Sequence, residues 1–191
     1  SWTLPLERAG AAWLALDGGR AFVLQSVSDP DAGTQTLYLQ AVGFDGKALG
    51  EPRLVGPAPG STRLALRHLG DAAYVEVGVL DSPSASRALA AIPDDVSLPI
   101  VQTSLLSQEG ITGLVKIGDT LVLAEATGSI GLQIRRLRHD LAPVPSPQNP
   151  FLLEGAYASA VQLAWTGTRI VHVQSNYDGR SIDMAELECA P

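Results

Sequence analysis

The sequence has few of the residues that cross-link small domains or hold metal ions. It contains one cysteine, Cys189, and three histidines, His68, His139 and His172. A single cysteine cannot form a disulfide within the chain, and none of these side chains stands at the spacing typical of a zinc site. The sequence therefore predicts no metal site and no cofactor.

Long apolar runs and positive charge are also scarce. No stretch approaches the roughly 20 apolar residues that cross a bilayer, so the chain is not expected to span a membrane. Its 13 Lys and Arg against 20 Asp and Glu give a net charge of −7. Nucleic-acid binding relies on basic residues that neutralise phosphates, which excludes nucleic acid as an expected partner.

Sequence signatures of catalysis are missing as well. There is no Gly-x-Ser-x-Gly nucleophile elbow, and no spacing in the sequence pairs two carboxylates. Asp29 and Asp31 before Gly33 have the look of a calcium loop, but the intervening Pro30 favours an ordinary turn. These absences favour a function other than catalysis.

Turn-forming residues, in contrast, are plentiful. The 191 residues include 13 Pro and 19 Gly, 46% are hydrophobic and 17% are charged. This composition is typical of a globular chain with many short strands, and the length predicts one domain. The sequence starts at Ser1, which leaves open a removed targeting segment or an artificial start.

Four repeats organise the chain, each with a leucine four residues before a glycine. The leucines are Leu14, Leu66, Leu114 and Leu163, and the glycines are Gly18, Gly70, Gly118 and Gly167. Glycine adopts positive φ without steric cost, so each one predicts the turn of a β-hairpin. A third apolar strand follows each hairpin. We expect the four leucines to lie in the core.

Proline marks a fourth, outer strand in three of the repeats, at residues 51–54, 97–100 and 142–145, because proline is tolerated on sheet edges. The last repeat stops before such a strand. Residues 3–6, Thr-Leu-Pro-Leu, match residues 97–100, Ser-Leu-Pro-Ile. The N-terminal segment, residues 3–7, is therefore expected to pair with residues 182–187.

These repeats predict an all-β, four-bladed β-propeller with four antiparallel strands per blade, closed by the N-terminal strand. Its units are residues 11–59, 60–108, 109–155, and 156–191 completed by 1–10. Residues 164–171, with their Trp-x-Gly turn, and the Tyr-Asp-Gly of 177–179 resemble the tandem repeats of bacterial, often secreted, β-propeller proteins. The resemblance implies a fold rather than an activity, and it favours a secreted or cell-envelope location.

Two residues before the repeat glycines the chain carries four chemically different side chains. They are Leu16, His68, Lys116 and Trp165. Around the axis of a closed ring they would meet near one mouth, where Arg63 and Arg67 would add charge. Such a set suits an anionic or ring-containing ligand. Ordinary solvated turn residues are the alternative explanation.

The function predicted from the sequence is a noncatalytic binding or scaffold module for a protein, peptide, glycan or small ligand. One alternative is an enzyme, a glycosidase, lyase or isomerase, whose acid and base groups come from different blades. Two carboxylates or a His–carboxylate pair that converge in a pocket and have displaced pKa values would reveal it. Another is an accessory subunit of a biosynthetic or envelope complex, which an exposed apolar patch would reveal.

Overall fold

A computed structural model describes residues 9–29, 33–58, 66–78, 87–106, 111–126, 131–154, 161–175 and 182–187. These residues form fifteen β-strands in four antiparallel sheets. Within this described part, no helix is long and apolar enough to cross a membrane. The chain divides into two compact units, Ser1–Ser104 and Leu105–Pro191.

The first unit contains two four-stranded sheets, each with its strands in chain order. Sheet 1 consists of β1 (Ala9–Asp17), β2 (Arg20–Asp29), β3 (Thr34–Gly43) and β4 (Arg53–Pro57). Sheet 2 consists of β5 (Leu66–Leu69), β6 (Ala72–Gly78), β7 (Arg87–Pro93) and β8 (Val101–Ser104).

The second unit also contains two sheets of this type. Sheet 3 consists of β9 (Ile111–Ile117), β10 (Thr120–Ala126), β11 (Gly131–Arg138) and β12 (Phe151–Glu154). The described strands of sheet 4 are β13 (Val161–Trp165), β14 (Ile170–Ser175) and β15 (Ile182–Leu187). Consecutive antiparallel strands in every sheet are the pattern of a propeller blade, and the predicted all-β, propeller-like fold is confirmed at this level.

The repeat glycines form the hairpin turns that the sequence predicts. All four have positive φ, from 52° at Gly18 to 98° at Gly167. Each repeat leucine pairs with the same offset across its hairpin, as in Leu14 with Val23 and Leu66 with Val75. The same pairing recurs in the second unit. The four sheets thus begin with hairpins of one register.

Sheets 1 and 2 pack face to face and bury the core of the first unit. Sheet 1 contributes Phe22, Leu24, Leu37, Leu39 and Val55, and sheet 2 contributes Leu66, Val75, Val77, Ala90 and Ile92 among others. The first strands of the two sheets, β1 and β5, lie in contact. β6 is buried along both faces, which explains its nearly continuous apolar sequence.

Sheets 3 and 4 pack in the same way in the second unit. Val115 and Val122 of sheet 3 meet Leu163 and Ile170 of sheet 4. Their first strands approach most closely at Gly113, where an added Cβ would lie 2.8 Å from Leu163 Cγ and 3.1 Å from its backbone nitrogen. A side chain at this position would push the two sheets apart, so the close packing requires glycine.

The expectation of four core leucines is right for three of them. Leu66 and Leu114 are buried, and Leu163 packs against the core of the second unit. Leu14 is 59% exposed, so the prediction is wrong there. In β1 the face toward sheet 2 carries Trp13 and Ala15, and the alternation of a strand places Leu14 on the opposite face.

The predicted outer strands need one large correction. β4 begins within the proline segment 51–54 and β8 directly after 97–100. Residues 142–145, in contrast, form a loop with a single isolated bridge, between Pro143 and Leu137, and the strand β12 comes later, at Phe151. Pro143 and Pro145 have no N–H for a ladder. The side chain of Asn149 holds this loop instead, accepting from the Arg136 nitrogen at 2.9 Å and donating to the Arg136 and Val144 oxygens.

The predicted closing strand, residues 3–7, lies outside the described residues. The ring of four blades therefore stays a prediction, as does the single-domain organisation.

We predict that truncating the repeat leucine to alanine lowers stability strongly in two repeats and hardly at all in the first. Leu66→Ala and Leu114→Ala should each lower the free energy of unfolding by about 2–5 kcal/mol, because both remove buried methyl groups. Leu14→Ala should change it by less than about 0.5 kcal/mol. Urea denaturation measures all three, and a loss at Leu14 as large as at Leu66 would contradict the described packing.

Candidate functional site

The ends of sheets 1 and 2 bring four polar side chains together. Asp17 is the last residue of β1, Arg20 is the first of β2, His68 lies in β5, and Asp94 directly follows β7. The two-residue turn between β1 and β2 places Asp17 and Arg20 opposite each other as a pair. We call these four residues, together with Phe22, the His68 cluster.

His68 occupies the centre of the cluster. Its side chain has no exposed surface. Nε2 lies 2.9 Å from Asp94 Oδ1 in a hydrogen bond. Nδ1 lies 2.9 Å from Asp17 Oδ2, but without the alignment of a hydrogen bond. One buried imidazole thus separates a carboxylate of sheet 1 from a carboxylate of sheet 2.

Phe22 provides the surface against which the cluster rests. Its ring stacks on the His68 imidazole, with centroids 4.1 Å apart and planes 11° from parallel. Arg20 also contacts this ring, with its guanidinium carbon 4.9 Å from the centroid. The electron-rich face of a phenyl ring attracts cations, and Phe22 therefore holds Arg20 beside the imidazole, where it forms an ion pair with Asp94.

The turn that carries Asp94 is held by hydrogen bonds of its own. The backbone N–H of Asp94 donates to the Asp71 carbonyl at 2.9 Å. The adjacent Asp95 accepts from the Ser97 hydroxyl at 2.7 Å and from its N–H at 2.9 Å. These two bonds, the hydroxyl first, lower the pKa of Asp95 because they favour its charged form. The turn is therefore an ordered support for Asp94.

The two carboxylates differ in access to solvent. The side chain of Asp17 is 43% exposed and that of Asp94 is 19% exposed, while Arg20 is 34% exposed. Solvent thus reaches both carboxylates but not the imidazole. Chemically, the arrangement can bind a polar substrate at the two carboxylates and exchange protons with it there.

The residues predicted for a ligand site are distributed over both units. His68 is buried in the cluster, whereas Arg67 on the same strand is exposed. Arg63 lies outside the described residues. Lys116 in β9 and the 36% exposed Trp165 at the end of β13 belong to the second unit. The predicted axial ligand site stays a prediction.

Sequence reasoning missed Asp17, Arg20 and Asp94. Each stands at a turn, where charged residues are common for conformational and solvation reasons. Arg20 and Asp94 are 74 positions apart, and no local spacing connects residues at that distance. The available signal was the comparison of strand ends between repeats, and His68 was the one cluster member among the residues that it singled out.

Two other buried charged pairs do not form such a site. Glu76 pairs with Arg87 in sheet 2, and Glu125 pairs with Arg135 in sheet 3 at 2.9 Å. Both glutamates are almost fully buried, so a substrate cannot reach them. Among the described residues, no three His, Cys, Asp or Glu side chains are placed to hold a metal ion.

No protein-family model matches the sequence, and a search of curated proteins gave no match. Similar solved structures include the GH43_1 enzyme from Xanthomonas citri complexed with xylose, with a TM-score of 0.44, 16% identity, and coverage of 94% of this chain and 70% of that one. The same enzyme complexed with xylotriose has a TM-score of 0.45, 16% identity, and coverage of 94% and 69%.

These similar structures are enzymes, and this finding corrects two predictions. The prediction of a noncatalytic binding or scaffold module is wrong, and so is the preference against an enzyme. At this identity and TM-score the likeness assigns no role to any residue of this chain.

We predict that the cluster contributes to the stability of the first unit. His68→Ala should lower the free energy of unfolding by about 1–3 kcal/mol, because it removes the hydrogen-bond partner of Asp94 and the ring stacked on Phe22. His139→Ala, at an exposed position, is the matched control and should change it by less than about 0.5 kcal/mol. Equal effects in thermal or urea unfolding would contradict the buried placement of His68.

Proposed function

We propose that this chain is a hydrolytic enzyme that cleaves glycosidic bonds at the His68 cluster. The observation that carries the proposal is that two partly exposed carboxylates, Asp17 and Asp94, face the two nitrogens of one buried imidazole. A His–carboxylate pair that converges from two sheets is one part of what the enzyme alternative required from the sequence.

Glycoside hydrolysis is the reaction class that two carboxyl groups support best. One carboxyl group protonates the departing glycosidic oxygen, and the other, as a carboxylate, takes a proton from the attacking water. No nucleophilic serine or cysteine and no metal ion is needed. The cluster supplies both groups at one partly solvated end of the two sheets.

The surroundings of the two carboxylates assign their roles. Asp94 is paired with the Arg20 cation and hydrogen-bonded to His68, so its negative charge is compensated and its position is set. We assign it as the base that takes the proton from water. Asp17 is the more exposed of the two, and we assign it as the acid that meets the glycosidic oxygen.

Solvent would restore the starting state after each turnover. The reaction leaves a proton on Asp94 and removes one from Asp17. Because both carboxyl groups are partly exposed, Asp94 would release its proton to water and Asp17 would take one up from water, so that the proton count of the site is balanced. His68 would keep its tautomer throughout, with Nε2 donating to the Asp94 carboxylate and holding it in place.

Hydrolysis of aryl glycosides tests this function. We expect the chain to release nitrophenol from a panel of 4-nitrophenyl glycosides that starts with the xyloside, because xylose and xylotriose are named as ligands of the similar structures. Asp17→Asn and Asp94→Asn should each lower kcat by about 10²–10⁴-fold, since each removes a general acid or base.

Asp45→Asn is the matched control, because Asp45 is an exposed aspartate in a turn of the same unit. It should leave kcat unchanged. If the wild-type chain cleaves no glycoside of the panel, or if both cluster variants keep full activity, this site is not the catalytic site of a glycoside hydrolase.

We infer further that the four sheets are the blades of one closed, four-bladed ring. The identical hairpin register of all four repeats supports this. So does sheet 4, whose last described strand is β15 where the other sheets have a fourth strand. The N-terminal residues 3–7 carry the sequence of an outer strand and would pair with β15.

Deletion of residues 1–8 tests the closure. It should lower the free energy of unfolding by several kcal/mol, because the ring would lose the strand that joins its ends. Joining Pro191 to Ser1 and opening the chain near Gly60 is the control, and it should preserve the fold because the covalent link replaces the noncovalent closure. A deletion variant of unchanged stability would exclude closure by this segment.

A further inference from the structure

Arg53 is a charged residue of sheet 1 whose side chain reaches sheet 2. It lies at the start of the outer strand β4, opposite Leu39. We propose that Arg53 is the positioning residue that sets Asp94 against His68. The proposal rests on the hydrolytic function proposed for the His68 cluster, and it names a residue outside that cluster that sets the position of its base.

The contacts of Arg53 bracket the turn that carries Asp94. Its Nη1 donates to the carbonyl of Pro93 at 2.6 Å, and its Nη2 donates to the carbonyl of Leu98 at 3.0 Å. Pro93 directly precedes Asp94, and Leu98 is the last residue of the turn. One guanidinium therefore holds both ends of the segment that presents the base.

The turn is built to transmit this constraint. Inside it, the Leu98 N–H donates to the Asp95 carbonyl at 3.1 Å, and Ser97 caps the Asp95 carboxylate. Asp94 itself is tied to Asp71 at the opposite hairpin. Because these bonds join Ser97 and Leu98 to Asp95, the residue next to Asp94, a movement of the ends of the segment would move Asp94.

The chemistry of arginine explains why this residue type suits the role. The guanidinium is planar and presents several N–H donors in a rigid fork, so it can bind two carbonyl oxygens at once. A lysine at this position keeps the charge and much of the stem, but its ammonium is a compact point charge that cannot reproduce the fork. Charge alone is therefore not sufficient for this contact.

Displacement of Asp94 would affect turnover more than binding. Asp17, the acid, stands at the end of β1, outside the 93–98 turn. A base displaced by about 1 Å can cost on the order of 10²-fold in rate. Arg53→Lys and Arg53→Gln should both lower kcat by about 10–100-fold, with KM for the aryl glycoside little changed.

A spectroscopic measurement tests the positioning independently of activity. The ¹⁵N resonance of His68 Nε2, assigned by its loss in His68→Gln, reports the hydrogen bond to Asp94. We expect this resonance to shift in Arg53→Lys and Arg53→Gln, and to stay unchanged in Arg138→Gln, a matched control at an exposed arginine of the second unit. Circular dichroism of each variant confirms that it is folded.

The two proposals fail in different ways. If the wild-type chain cleaves no glycoside, the hydrolytic function is overturned, and the Nε2 resonance still decides whether Arg53 positions Asp94. If folded Arg53 variants keep the wild-type resonance and the wild-type kcat, Arg53 has no positioning role. If kcat falls in Arg53→Gln but is unchanged in Arg53→Lys, the charge of residue 53 matters rather than its contact with two carbonyls. This result would also overturn the proposal.

Discussion

The structure of the first unit depends on the face-to-face packing of two antiparallel sheets through their first strands. An antiparallel sheet must bury at least one apolar face, and sheet 1 does so by placing Phe22 and Leu24 against Leu66 and Val75 of sheet 2. The second unit solves the same problem with sheets 3 and 4, where Gly113 permits the close approach. Side chains of neighbouring sheets are thereby brought together at the strand ends.

The His68 cluster is a product of that packing. His68 is in β5 and Phe22 is in β2, and the two rings stack only because the sheets are in contact. Once the imidazole is buried, its two nitrogens need polar partners, since an unpaired buried polar group is costly. Asp94 meets one nitrogen in a hydrogen bond and Asp17 lies beside the other, and Arg20 compensates the charge of Asp94. The contacts that hold the imidazole thus also place two partly exposed carboxylates at one end of the sheets.

Local sequence patterns suffice for the features of this fold that depend on neighbouring residues. The turn at Gly18 and the hairpins around it depend on a few neighbouring residues, so the repeat spacing predicted them correctly. The outer strand of sheet 3 was misplaced because Pro143 and Pro145 look like edge-strand prolines, whereas the side chain of Asn149 binds the backbone in their loop. Leu14 was misjudged for another reason. Leu14 and Leu66 hold equivalent positions in their hairpins. Sheet 2 packs through the face that carries Leu66, whereas sheet 1 packs through the face opposite to Leu14.

By itself, the sequence determined the all-β class, the four hairpins and their common register, because these follow from the positions of glycine, proline and apolar residues that are close along the chain. Only the tertiary structure decided which face of each sheet is covered and which charged residues meet. His68 could be singled out because the four repeats carry different side chains at its position. Its partners could not, because Asp17, Arg20 and Asp94 come from distant turns, and the physical link between them is the burial of one imidazole between two packed sheets.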